Sequence, residues 1–248
     1  MSREYISIDR IPECRKEYAH VEAPLHSLLL PHSVDLRPKM PEVYNQGQLG
    51  SCSANALCAA IEYDLPGFMG SRLFLYYNER LIENTTSSDC GATLTDGIAS
   101  LKKYGICNEA LYPYNIEKFS QAPIPRCYQE AKHHRVVNAN NVKQDINIIK
   151  NWLNIGYPIV VAIEVFDEFE SQQVAKTGVV PMPTATSNCQ GGHAILVVGY
   201  DDSKHWWICR NSWGKDWGDN GYFYLPYHYL LDSSMSSDMW VIRSLTIR

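Results

Sequence analysis

Gln46-Gly47-Gln48-Leu49-Gly50-Ser51-Cys52 runs directly into Ser53-Ala54-Asn55-Ala56-Leu57-Cys58-Ala59-Ala60-Ile61-Glu62-Tyr63. The first seven residues have the glycines and polar groups of a loop. From Ser53 to Tyr63 the pattern turns helical. Ala56, Ala59, Ala60 and Tyr63 share one face, with Leu57 and Ile61 beside it. Cys52 therefore stands where a loop becomes a helix. Unpaired N–H groups and the positive end of the helix dipole favour a thiolate at that point. Downstream, Gly192-His193-Ala194 opens an apolar run, and Arg210-Asn211-Ser212-Trp213-Gly214 closes another. A Gln, a Cys, a His and an Asn in this order make a Cys-His-Asn nucleophile system with an oxyanion donor.

The chemistry assigns each residue a role. Cys52 and His193 are expected to pair as thiolate and imidazolium, with His193 later protonating the leaving amine. Asn211 would accept the other imidazole N–H and orient the ring. Trp213 would cover that bond. The Gln46 side-chain amide and the Cys52 backbone N–H are expected to form the oxyanion hole. Taken singly, these residues have ordinary readings: a small buried thiol, a satisfied core histidine, a turn asparagine. Their order and local context together select the catalytic reading.

The rest of the chain limits the alternatives. It has 248 residues, 45% hydrophobic and 20% charged, which suits one large domain or two lobes sharing a cleft. A net charge of −5 gives no basic face for nucleic acid. The apolar runs, such as Ile159–Ile163 and Ala194–Val198, are too short for membrane spans. The first residues lack the apolar core of a signal peptide. A soluble protein, cytoplasmic or virion-associated, is the resulting expectation. Eight cysteines occur with neither a CxxC pair nor a zinc-ligand spacing, so no metal is implied and a reducing compartment is expected.

Residues 1–32 are charged and weakly periodic, and read as a short N-terminal extension. Residues 33–248 read as the working domain, helical over about 45–125 and β-rich over about 126–248. Helices are predicted over 53–63 and 73–82. A third, capped by Thr95-Asp96, passes Ile98, Leu101 and Tyr104 and stops at Gly105. A fourth is predicted over 146–153. Strands are predicted over 158–163, 193–200, 206–210 and 221–225, and His133-His134 reads as a polar strand start. The fold class is α+β.

From about Pro31 onward the chain resembles the papain-like cysteine peptidases. Leu30-Pro31-His32-Ser33-Val34-Asp35-Leu36-Arg37 is similar to that family's mature N-terminus. Gln46 and Cys52 have the family spacing. His193 begins a family-like His-Ala-Ile-Leu-Val-Val-Gly-Tyr strand. Asn211-Ser212-Trp213-Gly214, with Trp217-Gly218 and Asn220-Gly221-Tyr222, is the most specific block. The resemblance implies a two-lobed fold with a barrel-like β-rich lobe and the cleft between the lobes. It implies a cysteine endopeptidase working through a Cys52 acyl-enzyme on peptide or protein substrates, with no cofactor. The wording is most similar to cathepsin-B-like bacterial and giant-virus members.

Departures from the family pattern carry information. Ser53 stands where a Trp is usual. Leu49 and Asp89 stand where the family has a pair of disulfide-forming cysteines. Gly91-Ala92 occupies the place of a Gly-Gly that binds substrate backbone, which makes both residues, with Gly192 and Trp213, candidate subsite groups. The Ala92 methyl is expected to narrow the second subsite, whose floor is expected within Ser233–Ile242. Residues 1–29 are expected as a short propeptide across the cleft, making the protein a zymogen, or as a surface extension. Cys14 could bond covalently to Cys52. The alternatives are a non-catalytic binding protein, an acyltransferase using the same thioester, and a protease devoted to one protein.

Overall fold

α1 (Cys52–Asp64) is buried without interruption from Cys52 to Ile61, so it must be enclosed on every side. A computed structural model, which describes residues 30–247, shows what encloses it. α2 (Arg72–Glu83) and α3 (Leu94–Lys103) pack against it from within its own half of the chain. The other neighbour is a sheet built from the second half.

That sheet has seven strands. They are β1 (Ser33–Asp35), β2 (His134–Asn141), β3 (Ile159–Phe166), β4 (Cys189–Asp201), β5 (Trp206–Arg210), β6 (Tyr222–Pro226) and β7 (Ser236–Ile247). The order is β2-β7-β3-β4-β5-β6, and β1 pairs with β4. All pairings are antiparallel. β3 is an Ile/Val run with side chains buried on both faces, which is why its sequence does not alternate. β4 is the long central strand. It pairs with β3 from Ile159↔Val197 to Phe166↔Cys189 and packs against α1. That packing joins the helical and the β-rich lobe, and the cleft lies along their seam. The fold is the expected two-lobed α+β arrangement.

The remaining helices are α4 (Pro125–Ala131), α5 (Ile146–Asn154), α6 (Gln172–Thr177) and α7 (Tyr227–Leu231). α5 is capped by Asp145, whose side chain accepts from the Asn147 and Ile148 N–H groups, and it packs on β3 and β4.

Several boundaries differ from the sequence reading. The cap of α3 is Thr93, whose Oγ1 accepts from the Asp96 N–H at 3.0 Å. Thr95 instead gives its N–H and its hydroxyl to Asp238 on β7. The helix does stop at Gly105, which takes φ +80°; a Cβ there would lie 1.9 Å from the Ala131 carbonyl oxygen. β4 begins four residues earlier than predicted. β7 was not predicted, because Ser236–Ile247 has no clean alternation. The expected 1–29 segment and its Cys14 lie outside the described residues.

Candidate active site

Cys52 is the first residue of α1 and only 3% exposed. Ser51 precedes it as N-cap without a side-chain cap bond to the helix. Burial pushes the Cys52 thiol up to about 11; the charge of Glu79 pushes the same way, while the backbone N–H groups of Ala194 and Ser53 pull it down. An isolated thiol at that value holds roughly one thiolate in 10⁴ at pH 7. The helix terminus alone does not activate this sulfur. The Ala194 N–H that favours the thiolate belongs to the residue after His193.

His193 lies in β4 opposite Ile163 of β3 and is 2% exposed. Its Nε2 sits 2.9 Å from Asn211 Oδ1. Asn211 Oδ1 also accepts the Ser212 N–H at 2.8 Å, which fixes that atom as the oxygen. An oxygen there cannot donate, so the His193 Nε2 carries the proton of the bond. Nδ1 is then the ring nitrogen turned away from Asn211.

Aromatic side chains enclose the pair. The Trp213 ring stacks on His193 at 4.9 Å and 28°. Phe169 meets Trp213 edge-on at 5.5 Å and stacks on Trp217 at 5.5 Å. Phe223 closes the cluster against Phe169 and Trp217. This shell keeps water from the His193–Asn211 bond and strengthens it.

Gln46 is buried and held at both ends of its amide. Ser212 Oγ donates to Oε1 at 2.6 Å, and Nε2 donates to the Leu49 carbonyl at 3.0 Å. One amide hydrogen then remains for an oxyanion. The Gln46 N–H donates to the Ser212 carbonyl, and Asn45 bridges to Trp213. The residue beside Asn211 thus fastens Gln46 to the histidine wall.

Leu49 is buried, and the Asp89 carboxylate accepts the Gly50 N–H at 3.0 Å. Asp89 also accepts from the Tyr76 hydroxyl, which accepts the Gly91 N–H at 3.2 Å. A polar clasp therefore ties the nucleophile loop to residues 89–91, where the resembling family has a disulfide. All seven cysteines among the described residues are free, Cys52 included. Gly91, Ala92 and Gly192 are buried. The Gly91 N–H is engaged within the protein, by the Tyr76 hydroxyl.

Ser53 also has a partner. Its hydroxyl donates to Glu79 Oε2 at 2.7 Å. Glu79 is fully buried and Oε1 has no hydrogen-bond partner. Burial raises its carboxyl to about 8, with the Ser53 bond opposing. Gly97 makes the space: a Cβ there would lie 2.8 Å from Glu79 Oε1.

The structure thus brings Cys52, His193, Asn211, Gln46 and Trp213 into one seam. Sequence reasoning missed Ser212, Asp89 as a hydrogen-bonding group, Glu79, Tyr114 and Phe169. Only Ser212 had a local signal, its place beside Asn211. Among the described residues no cluster of ligands suits a metal ion, and no helix is long and apolar enough to cross a membrane.

The family model for papain family cysteine proteases matches residues 30–239. An uncharacterized peptidase C1-like protein of Acanthamoeba polyphaga mimivirus is 40% identical over 84% of this chain and 72% of its own length. Cathepsin F of Mus musculus is 31% identical over 90% of this chain, which spans only 48% of that protein. The crystal structure of xylellain, a cysteine protease from Xylella fastidiosa, superposes with a TM-score of 0.90 at 36% identity, covering 100% of this chain and 99% of that one. The chain belongs to the papain family of cysteine proteases.

Proposed function

We propose that the protein is a cysteine endopeptidase that cleaves peptide bonds through an acyl-enzyme on Cys52. The observation that carries this reading is the buried His193–Asn211 bond of 2.9 Å beneath Trp213, on the strand that passes the start of α1. The Cys52 proton moves to His193 Nδ1, and the thiolate attacks the scissile carbonyl. The oxyanion that forms takes hydrogen bonds from the Gln46 amide and the Cys52 backbone N–H. His193 returns its proton to the leaving amine, and a thioester remains. Water then gives its proton to His193 as it attacks, and the acid product leaves with the thiol restored.

Gly91, Ala92, Gly192 and Trp213 are the proposed subsite groups. Ala92 supplies backbone contacts, and its methyl narrows the second subsite. Profiling the second subsite with peptide libraries reads its preference. Residues 1–29 act as a short propeptide whose removal is the activating step, or as a surface extension whose removal leaves activity unchanged.

The test uses internally quenched peptides under reductant. The full chain, the chain lacking residues 1–29 and Cys52→Ala are compared by mass spectrometry of products. Internal cleavage by the truncated chain, lost in Cys52→Ala, is the expected result. Transfer of the acyl group only to an added amine would make the protein an acyltransferase. Peptide binding without turnover in any form would make it a binding protein.

A further inference from the structure

The two donors proposed for the oxyanion hole sit at opposite ends of one loop. Gln46 begins it, and Ser51, at its end, is followed by the Cys52 backbone N–H. One hydroxyl reaches both ends. Tyr114 Oη lies 2.9 Å from the Gln46 carbonyl oxygen and 2.5 Å from Ser51 Oγ.

Donor directions follow from chemistry. The Gln46 carbonyl can only accept, so the Tyr114 hydroxyl donates to it. Ser51 Oγ must then donate to the Tyr114 oxygen, and it accepts from Asn55 Nδ2 at 3.1 Å. The chain of bonds runs Asn55 to Ser51 to Tyr114 to Gln46, each donating to the next. The Tyr114 ring is itself fixed. The Arg72 guanidinium lies 4.1 Å over its centroid, and Arg72 is held by Glu109 at 2.9 Å and by Asn55 Oδ1 at 3.2 Å. These bonds hold Tyr114 rigidly against a loop that makes few backbone bonds of its own.

We propose that Tyr114 is a positioning residue for the oxyanion hole. It sets the span between the Gln46 amide and the Cys52 N–H, and both donors must converge on one oxygen. The role rests on the endopeptidase reading above. Tyr114 does not touch substrate, and it does not act on the thiol.

That last distinction gives the test. Tyr114→Phe keeps the ring on Arg72 and removes the hydroxyl. Two rates are measured on the chain lacking residues 1–29 and, in parallel, on the full chain. One is hydrolysis of a peptide anilide, which passes through an oxyanion. The other is alkylation of Cys52 by iodoacetamide, which does not. The expected result is a kcat lower by roughly tenfold, part of the 10²–10³ that losing a donor outright costs. KM and the alkylation rate stay within about twofold of wild type. Equal loss in hydrolysis and alkylation would mean a general structural role and overturn the proposal. An unimpaired kcat would overturn it as well. Wild-type protein that hydrolyses no peptide would instead overturn the endopeptidase reading, and this role with it. If Tyr114→Phe does not fold, Ser51→Ala breaks the same chain from the other end. It should show the same split with a smaller drop in kcat, and an unsplit loss or none overturns the proposal.

Discussion

His193 stands in the interior of the β3–β4 ladder, opposite Ile163, and Asn211, just past the end of β5, bonds its ring. Its orientation follows from the strand register and the aromatic shell of Trp213, Trp217, Phe169 and Phe223. Cys52 follows a loop, residues 46–51, that belongs to no strand and has a backbone tie at its start, from the Gln46 N–H to the Ser212 carbonyl, but no ladder beyond it. Side chains from distant parts of the chain hold it instead: Ser212, Asp89 and Tyr114. The two walls of one cleft thus differ in what fixes them. The histidine wall is set by backbone pairing and apolar packing. The nucleophile wall is set mainly by a handful of side-chain polar bonds, each of which one substitution can remove. The histidine wall is therefore robust to changes outside the reacting groups, whereas the nucleophile wall is sensitive to residues that never touch substrate.

The largest expected effect sharpens the histidine side. His193→Ala should lower kcat/KM by roughly 10⁴ while leaving the fold intact, because the ring is the proposed acid and base and the strand keeps its pairing. Peptide hydrolysis and circular dichroism check both halves. Next comes Gln46→Ala, with an expected loss of roughly 10²–10³ in kcat and little change in KM. A loss confined to KM would show that Gln46 binds substrate rather than the oxyanion.

Asp89→Ala tests the clasp directly. It strands the Gly50 N–H and the Tyr76 hydroxyl, and should cost about 1–3 kcal/mol of stability by chemical denaturation. Activity should fall further than the corresponding loss for Trp217→Phe, which trims the aromatic shell without opening it. The reverse ranking would break the contrast between the two walls.

The smallest effect on activity concerns Glu79 and pH. Its folded-state value of about 8 lies above the ordinary 4.5, so the native protein binds the extra proton between those values. Stability contributed by the protonated form is therefore lost as pH rises from 4.5 towards 8, by at most about 1.4 kcal/mol per pH unit. Glu79→Gln should flatten the dependence of the melting temperature on pH between 5 and 8. Because the Glu79 charge raises the Cys52 thiol, the same variant should alkylate slightly faster above pH 8.

The contrast also explains what was legible in the sequence. The histidine wall announces itself locally, since β-branched runs, a glycine pair before His193 and Asn-Ser-Trp-Gly are contiguous signals. Cys52 was legible from the loop-to-helix change on either side of it. The supports of the nucleophile loop were not. Tyr114 is 68 residues from Gln46 and Asp89 is 39 from Gly50, and nothing local marks either as a partner. Ser53 and Leu49 were visible as departures from the family pattern, but their consequences, a buried carboxyl and a polar clasp, depend on packing. Thr95 was misread as the α3 cap for the same reason, because a distant carboxylate, Asp238, claims it. β7 escaped because its first residues, Ser236-Ser237-Asp238, are polar, although Ser236 and Ser237 pair with β3, and the apolar Met239-Trp240-Val241-Ile242 follows without alternation.

The central claim is that the site, through His193, turns a buried thiol into a nucleophile. The most direct measurement is the rate of Cys52 alkylation by iodoacetamide against pH, in the wild-type chain and in His193→Ala. The expected wild-type profile is already high at neutral pH, far below the value near 11 that burial sets, while His193→Ala reacts only as pH climbs towards that value. A wild-type profile that rises only at alkaline pH and coincides with that of His193→Ala would contradict the claim.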